Sequence, residues 1–228
     1  MNTFFINTAL NVKRLSVYDN DTRFSQLMGT LDSINRYVLG NRKYIFDSSP
    51  EEPDLEKVRI LEAAGVNFMY FGADPVVKAY SDAGFRSLAE TTSFKMFLKQ
   101  VKYRIEPGRI YKLSGRYQLN ENCSMAFQGS DLTDSFVFSK ALDSWMHPHA
   151  QARAGVSKLF RLRFWHMDTS LLEFFISKLD FIYQECLDHH IDIEHAYYKV
   201  LSPFDNIKEV NKIGVEGYIA PSGEWIEE

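Results

Sequence analysis

Several segments of this chain put reactive side chains close together. Asp47-Ser48-Ser49 follows the short apolar run Tyr44-Ile45-Phe46. A carboxylate there can accept hydrogen bonds from a ribose or a base, because open α/β sheets bind ligands at the carboxyl ends of strands, where the strand order reverses. The plainer reading, which the residues alone favour, is a turn with the Asp bonded to its own backbone. A second segment is Tyr111-Lys112-Leu113-Ser114-Gly115-Arg116-Tyr117. Strand alternation puts Lys112 and Ser114 on one side. Lys112 and Arg116 could neutralise a diphosphate, Arg116 in a bidentate way, with Gly115 permitting close backbone approach. A bulge at Gly115 flanked by solvated cations fits equally well. A third segment, His189-His190-Ile191-Asp192-Ile193-Glu194-His195, could supply a general base. Its acids also suit the positive end of a helix, the more ordinary role for any one of them. His147-Pro148-His149 is a weak metal pair, since the proline disrupts a strand and no carboxylate stands nearby. Arg161, Arg163 and His166 project from a strand end, towards the same cleft or into a salt-bridged surface.

The elements that must hold these residues can be read from periodicity. Phe4 to Leu10 is a buried strand. Phe24, Leu27, Met28, Leu31, Ile34 and Val38 line one helix face, closed by Gly40 and Asn41. Tyr44-Ile45-Phe46 is a strand, residues 53–64 a helix with Pro53 in its first turn, and residues 66–71 a strand. Ser87 and Glu90 have capping-box spacing and open a helix towards Tyr103. Arg109 to Leu119 reads as a strand broken at Gly115, Phe136-Val137-Phe138 as another, and Leu159 to Met167 as a half-buried one. Ser170 and Glu173 introduce a helix carrying Leu171, Leu172, Phe175, Leu179, Ile182 and Leu187; a short helix spans 193–201. The tail, with Gly214, Gly217 and Pro221-Ser222-Gly223, reads as loop. Strands alternating with helices predict an α/β fold with a mostly parallel sheet and right-handed crossovers.

The 228 residues are 45% hydrophobic and suffice for one sizeable core. No repeat or linker divides them, so a single domain is expected. A net charge of −4 gives no basic footprint for nucleic acid. The pair Cys123 and Cys186 is too few for a disulfide framework or a thiolate zinc site. The N-terminus does not read as a signal peptide, and no run approaches the roughly 18 apolar residues of a membrane span. A cytoplasmic protein is the expectation.

The N-terminal third resembles GT-A glycosyltransferases. The strand ending at Leu10, Arg23-Phe24 and Thr30-Leu31-Asp32-Ser33-Ile34 in the helix, and Ile45-Phe46-Asp47-Ser48-Ser49 carry the resemblance. Lys112 to Tyr117, Gly214-Val215-Glu216-Gly217, Ala220-Pro221-Ser222-Gly223 and Asp192-Ile193-Glu194-His195 are similar to small bacterial and phage-borne sugar-transferase-like proteins. These are akin to the WavE-like group of lipopolysaccharide and polysaccharide biosynthesis. The resemblance implies a GT-A-like mostly parallel central sheet flanked by helices. It implies one domain over 1–228, with a nucleotide-binding half (1–120) and an acceptor-side half (121–228).

The resemblance also implies site residues. Thr8, Ala9, Asp47, Ser48, Lys112, Ser114, Gly115 and Arg116 would bind a nucleotide-diphosphate sugar. Tyr117, His166 and His195 would face a glycan or lipid-linked saccharide acceptor. Glu194, or in second place Asp192, would act as base and give inversion. The chain departs from the pattern in one respect. Such enzymes usually hold Mn2+ or Mg2+ on an Asp-X-Asp motif, and Lys112 to Tyr117 stands in about that region without one. Asp19-Asn20-Asp21 precedes the first helix, and Asp131-Leu132-Thr133-Asp134 has the wrong spacing. No metal ligand is therefore assigned: Lys112 and Arg116 replace the ion, or activity is lost and the chain only binds nucleotide sugar or glycan. A Rossmann-like methyltransferase would show a glycine-rich turn after the first strand, where Leu10-Asn11-Val12 has none.

Overall fold

A computed structural model describes residues 1–11, 17–123, 133–219 and 222–228. Strand β1 (Asn2–Thr8) is followed by α1 (Asn20–Tyr37), β2 (Asn41–Asp47), α2 (Leu55–Ala63) and β3 (Val66–Tyr70). Next come α3 (Pro75–Asp82), α4 (Arg86–Val101), β4 (Arg109–Ser114) and β5 (Tyr117–Leu119). The second half adds β6 (Phe136–Ser139), β7 (Leu142–Asp143), α5 (Pro148–Ala154), β8 (Lys158–Leu159), β9 (Phe164–Asp168), α6 (Leu172–His189), α7 (Ile193–Leu201), β10 (Ile207–Val210), β11 (Val215–Tyr218) and β12 (Trp225–Glu227).

The main sheet has seven strands in the order β10-β6-β9-β4-β1-β2-β3, drawn from both halves of the chain. Only β9 runs against its neighbours, β4 and β6, so the sheet is mostly parallel. From β1 the chain moves outward through β2 and β3, then returns to lay β4 on the other side of β1. That reversal makes the β1–β4 tips the switch point where a ligand crevice is expected.

Alternation along β1 sends Phe4 and Ile6 to one face and Phe5 to the other. The first face packs on Leu27, Leu31 and Ile34 of α1. The second packs on α4, α6 and α7 through Phe94, Phe97, Phe175 and Tyr197. Phe46 stacks on Phe94 with centroids 4.9 Å apart and planes 2° from parallel. Such aromatic pairs add about 0.5–1.5 kcal/mol beyond simple burial. Helices α1 and α4 are thereby locked on opposite faces, each with one end at the switch point.

Several local expectations are corrected. Ser87 and Glu90 do not cap α4: Phe85 precedes it with no side-chain cap bond, Ser87 Oγ accepts from Ile193 N (3.1 Å), and Glu90 turns to the sheet tips. The helix expected from Ser170 starts behind a 3₁₀ turn capped by Asp168, and Glu173 pairs with Lys102 instead. Leu159 to Met167 is not one strand. Its start, β8, pairs with β7, and its end, β9, enters the main sheet. Helix α3, capped by Asp74 with Pro75 in its first turn, and α5, capped by His147, were not read from periodicity. His147 and His149 thus belong to a helix start.

The tail is not loop. Strand β10 extends the main sheet, and β12-β11-β5 form a second one. Gly214 permits this with φ +86°, where a Cβ would stand 2.0 Å from the Cys123 nitrogen. Its own turn signal hid a strand start. Asp131-Leu132, Ala220-Pro221 and Val12 of the motifs above lie outside the described residues.

Candidate active site

A cavity of about 640 Å³ opens at the switch point. Asn7 to Leu10 reach it from β1, Ser48 and Pro50 from β2, and Ser114, Gly115 and Arg116 from β4. Arg23 enters from α1, residues 81–84 and Arg86 from the α3–α4 turn, and Ala89 and Glu90 from α4. Gly115 is required here, since a Cβ would sit 2.6 Å from Thr8 Cγ2. Its amide donates to the Asn7 carbonyl (3.0 Å), closing the β1 and β4 tips on each other.

Asp47 lies under this floor. It is fully buried, and its Oδ2 accepts from Thr8 Oγ1 (2.7 Å) and the Leu10 amide (2.9 Å). Its Oδ1 accepts from the Ser49 amide (2.9 Å). Burial pushes the carboxyl above its ordinary value, and the bonds from Ser49, Thr8 and Leu10 oppose that shift. Asp47 therefore shapes the β1 exit, as a turn-forming Asp does, and reaches the cavity through Thr8. Asp47→Ala should cost about 3 kcal/mol, because it strands buried N–H donors. Urea denaturation measures this, and Asp47→Asn, which keeps part of the network, should lose less.

Lys112 is also behind the cavity wall. It is 3% exposed and donates to Glu90 Oε1 (3.1 Å) and to the Leu162 carbonyl (3.1 Å). Glu90 Oε1 also accepts from Asn7 Nδ2 (3.0 Å), and Ser114 Oγ donates to Asn7 Oδ1 (3.2 Å). Among the described residues, the cations that line the cavity are Arg23, Arg86 and Arg116. Arg23 Nε donates to the Ala9 carbonyl (2.8 Å), tying α1 to the β1 exit. Burial, then Arg116 and to a lesser degree Arg86, lower Arg23 to about 10, with Asp47 acting against them. Mutually repelling guanidiniums around one cavity form a site that an anion would relieve.

Glu194 sits on the first turn of α7, which abuts α4 where Ile193 N donates to Ser87 Oγ. Its carboxyl is raised to about 7, chiefly by burial, then by Asp192 and Glu90; Arg163 and a bond from the Leu162 amide oppose the rise. The other expected residues are otherwise engaged. Asp192 caps α7 and accepts from His195 N (3.0 Å). His195 is fully buried between Asp192 Oδ1 (Nδ1, 2.7 Å) and Ser144 Oγ (Nε2, 2.8 Å). His166 lies inside the sheet, below its tip, with Nδ1 on Arg109 Nη1 (2.9 Å). Tyr117 is buried, and its hydroxyl accepts from Arg163 Nε (3.2 Å). The structure thus gathers Thr8, Ala9, Ser48, Ser114, Gly115 and Arg116 at the cavity, and keeps Asp47, Lys112, Asp192, Tyr117, His166, His195 and Glu194 out of the lining. Glu194 is linked to it through the charge of Glu90, which it feels, and through the bond from Ile193 to Ser87 of α4.

Asn7, Arg23, Arg86 and Glu90 were missed as site residues. Asn7 left a signal, a polar residue directly after Phe4-Phe5-Ile6. Glu90 was masked by its capping-box spacing.

Among the described residues, no group of His, Cys, Asp and Glu could hold a metal ion. Asp19 caps α1, Asp21 pairs with Lys57, and Asp134 accepts from Ser170. The cavity's acids are Asp82 and Glu90, the latter already bound to Lys112. This donor set does not fit the divalent cation of an Asp-X-Asp site.

No protein-family model and no curated protein matches this sequence. Solved structures do match. The galactosyltransferase LgtC, in complex with donor and acceptor sugar analogues, aligns with 92% of this chain and 73% of its own, at TM-score 0.58 and 10% identity. The chain has a GT-A fold. Core-mannan synthase A of Aspergillus fumigatus, in a Mn/GDP form, gives TM-score 0.57 at 8% identity over 94% of this chain and 73% of its own. The S. cerevisiae mannosyltransferase Ktr4p gives 0.56 at 11% over 94% and 69%. At these identities the GT-A likeness is one of backbone, so function has to be argued from the site. Among the described residues, no helix is long and apolar enough to cross a membrane.

Proposed function

We propose that this chain transfers a sugar from a nucleotide-diphosphate donor to a hydroxyl of a glycan or lipid-linked saccharide, with inversion. One observation carries the reading: the switch-point cavity of a GT-A fold is lined by Arg23, Arg86 and Arg116, and its lining residue Glu90 is near enough to Glu194 to raise that carboxyl. A diphosphate fits guanidiniums that repel one another when the cavity is empty. As the bond from the anomeric carbon to the phosphate oxygen breaks, negative charge grows on the diphosphate, and fixed arginines stabilise it. Glu194 takes the proton of the acceptor hydroxyl as that oxygen bonds to the anomeric carbon from the opposite side. Lys112 serves indirectly, by anchoring Glu90. Ala9, Ser48 and the Gly115 backbone shape the nucleotide's bed. The acceptor we assign is a growing surface polysaccharide of the lipopolysaccharide type, made in the cytoplasm.

The test is a thermal-shift screen with UDP-, GDP- and dTDP-sugars, each with manganese and with EDTA, beside a CMP-sugar, whose single phosphate makes it the control. At least one donor should raise the melting temperature by mass action, equally under both conditions. Absence of a shift with every donor would count against the reading. In the responding pair, Arg116→Ala should weaken binding about 10- to 100-fold, the worth of one or two charge-assisted hydrogen bonds. The mismatch with a divalent-cation site also favours a second reading, a binder of nucleotide sugar without turnover. Donor hydrolysis or transfer that disappears in Glu194→Gln would exclude it.

A further inference from the structure

Neither described carboxylate of the cavity takes a direct part in the proposed transfer: Asp82 pairs with Lys78 along α3, whereas Glu90 is anchored by Lys112. Glu90 lines the cavity with its side chain 28% exposed, while Oε1 is fixed by Lys112 and Asn7. The Lys112 pair lies behind Glu90, so it immobilises the side chain without covering it. Asn7, itself held by Ser114, continues the same polar wall.

The cavity is polar in a second sense. Helix α1 brings Arg23 from one face of the sheet, and α4 brings Glu90 from the other. Arg116, at the β4 tip, lies close enough to Arg23 to be the charge that most lowers its basicity. Arg23 and Arg116 form the wall where a diphosphate belongs. The opposite wall offers a carboxylate, an amide and a hydroxyl, and its Glu90 is near enough to Glu194 to raise that carboxyl, so the anomeric carbon has to lie on this side for that base to act. Arg86 edges the cavity at the α3–α4 turn.

From this arrangement we infer that Glu90, with Asn7 and Ser114, forms the donor-sugar subsite and selects a neutral, hydroxyl-rich sugar over a uronic acid. The inference rests on the transferase reading. A fixed carboxylate accepts from neighbouring sugar hydroxyls in charge-assisted bonds. A uronate would set its own carboxylate in the same wall, and a like-charge contact discriminates more sharply than a lost attraction.

The experiment is calorimetric titration with matched donors. These are UDP-glucose and UDP-glucuronate, UDP-galactose and UDP-galacturonate, GDP-mannose and GDP-mannuronate, and dTDP-glucose and dTDP-glucuronate, beside UDP, GDP and dTDP alone. In at least one pair the neutral sugar should bind about tenfold or more tighter than the uronate. Glu90→Gln alone leaves Lys112 buried without its carboxylate and could unfold the chain. The Glu90→Gln, Lys112→Met double variant removes both charges. It should bring the ratio near one, with the affinity for the bare nucleotide unchanged and a native circular-dichroism spectrum. If no nucleotide binds in any form, the transferase reading falls and takes this inference with it. If nucleotides bind but the uronate binds as well as the neutral sugar, or the preference survives in the double variant, Glu90 is not the selector and the transferase reading still stands.

Discussion

Replacing Glu194 with Gln should lower the rate of sugar transfer about 10²- to 10⁴-fold, the usual contribution of a positioned general base, while donor binding stays within about twofold. The amide matches the carboxylate in shape and cannot take a proton. The pH profile separates this from a packing defect. Burial is the main reason the Glu194 carboxyl is raised to about 7, and the charges of Asp192 and Glu90 add to it. At pH 6 the group is mostly protonated and cannot accept the acceptor's proton. The wild-type kcat/KM should therefore rise about tenfold per pH unit towards pH 7 and level off above it. In Glu194→Gln the residual rate should lack that limb. An unchanged profile in the variant would remove Glu194 from the reaction and hand the base role to another group.

Breaking the Glu90–Lys112 pair should destabilise the fold unequally, depending on which partner is removed. Lys112 is 3% exposed, and its other partner is the Leu162 carbonyl; Glu90 is 28% exposed at the cavity and keeps the Asn7 amide. Glu90→Gln strands a buried cation and should cost about 3 kcal/mol, the low end for opening a buried pair. Lys112→Met leaves a carboxylate that water reaches, so its charge is screened, and should cost about 1 kcal/mol. The double variant should lose less than the sum of the two, because each single change includes the cost of an unpaired charge. Urea denaturation of the four proteins measures the cycle. Equal single costs would mean that Lys112 is no more buried in solution than Glu90, and strict additivity would mean that the pair contributes nothing.

Much of the architecture could be read from residue order. The alternation of strand and helix through β3 is visible because an apolar run of strand length and a stripe at three- and four-residue spacing are local patterns. The tip positions Thr8, Ala9, Ser48, Ser114, Gly115 and Arg116 were also legible, since switch-point ligands lie just beyond strand ends. The tail strands were not. Strand β11 is held between the neighbouring β12 and the distant β5, with Tyr117 opposite Gly217, and nothing near Gly214 announces that second partner. The same holds for the site's charges. Lys112 and Arg116 looked alike as cations two turns of alternation apart, yet the fold buries one against Glu90 and presents the other to the cavity. Ser87 and Glu90 had the spacing of a cap, and the fold spends them on α7 and on Lys112. Residue types and local geometry follow from sequence because they depend on neighbours a few bonds away. Which charge is exposed, and which is neutralised, follows from contacts between α1, α4 and the strand tips that only tertiary packing brings within a few ångströms.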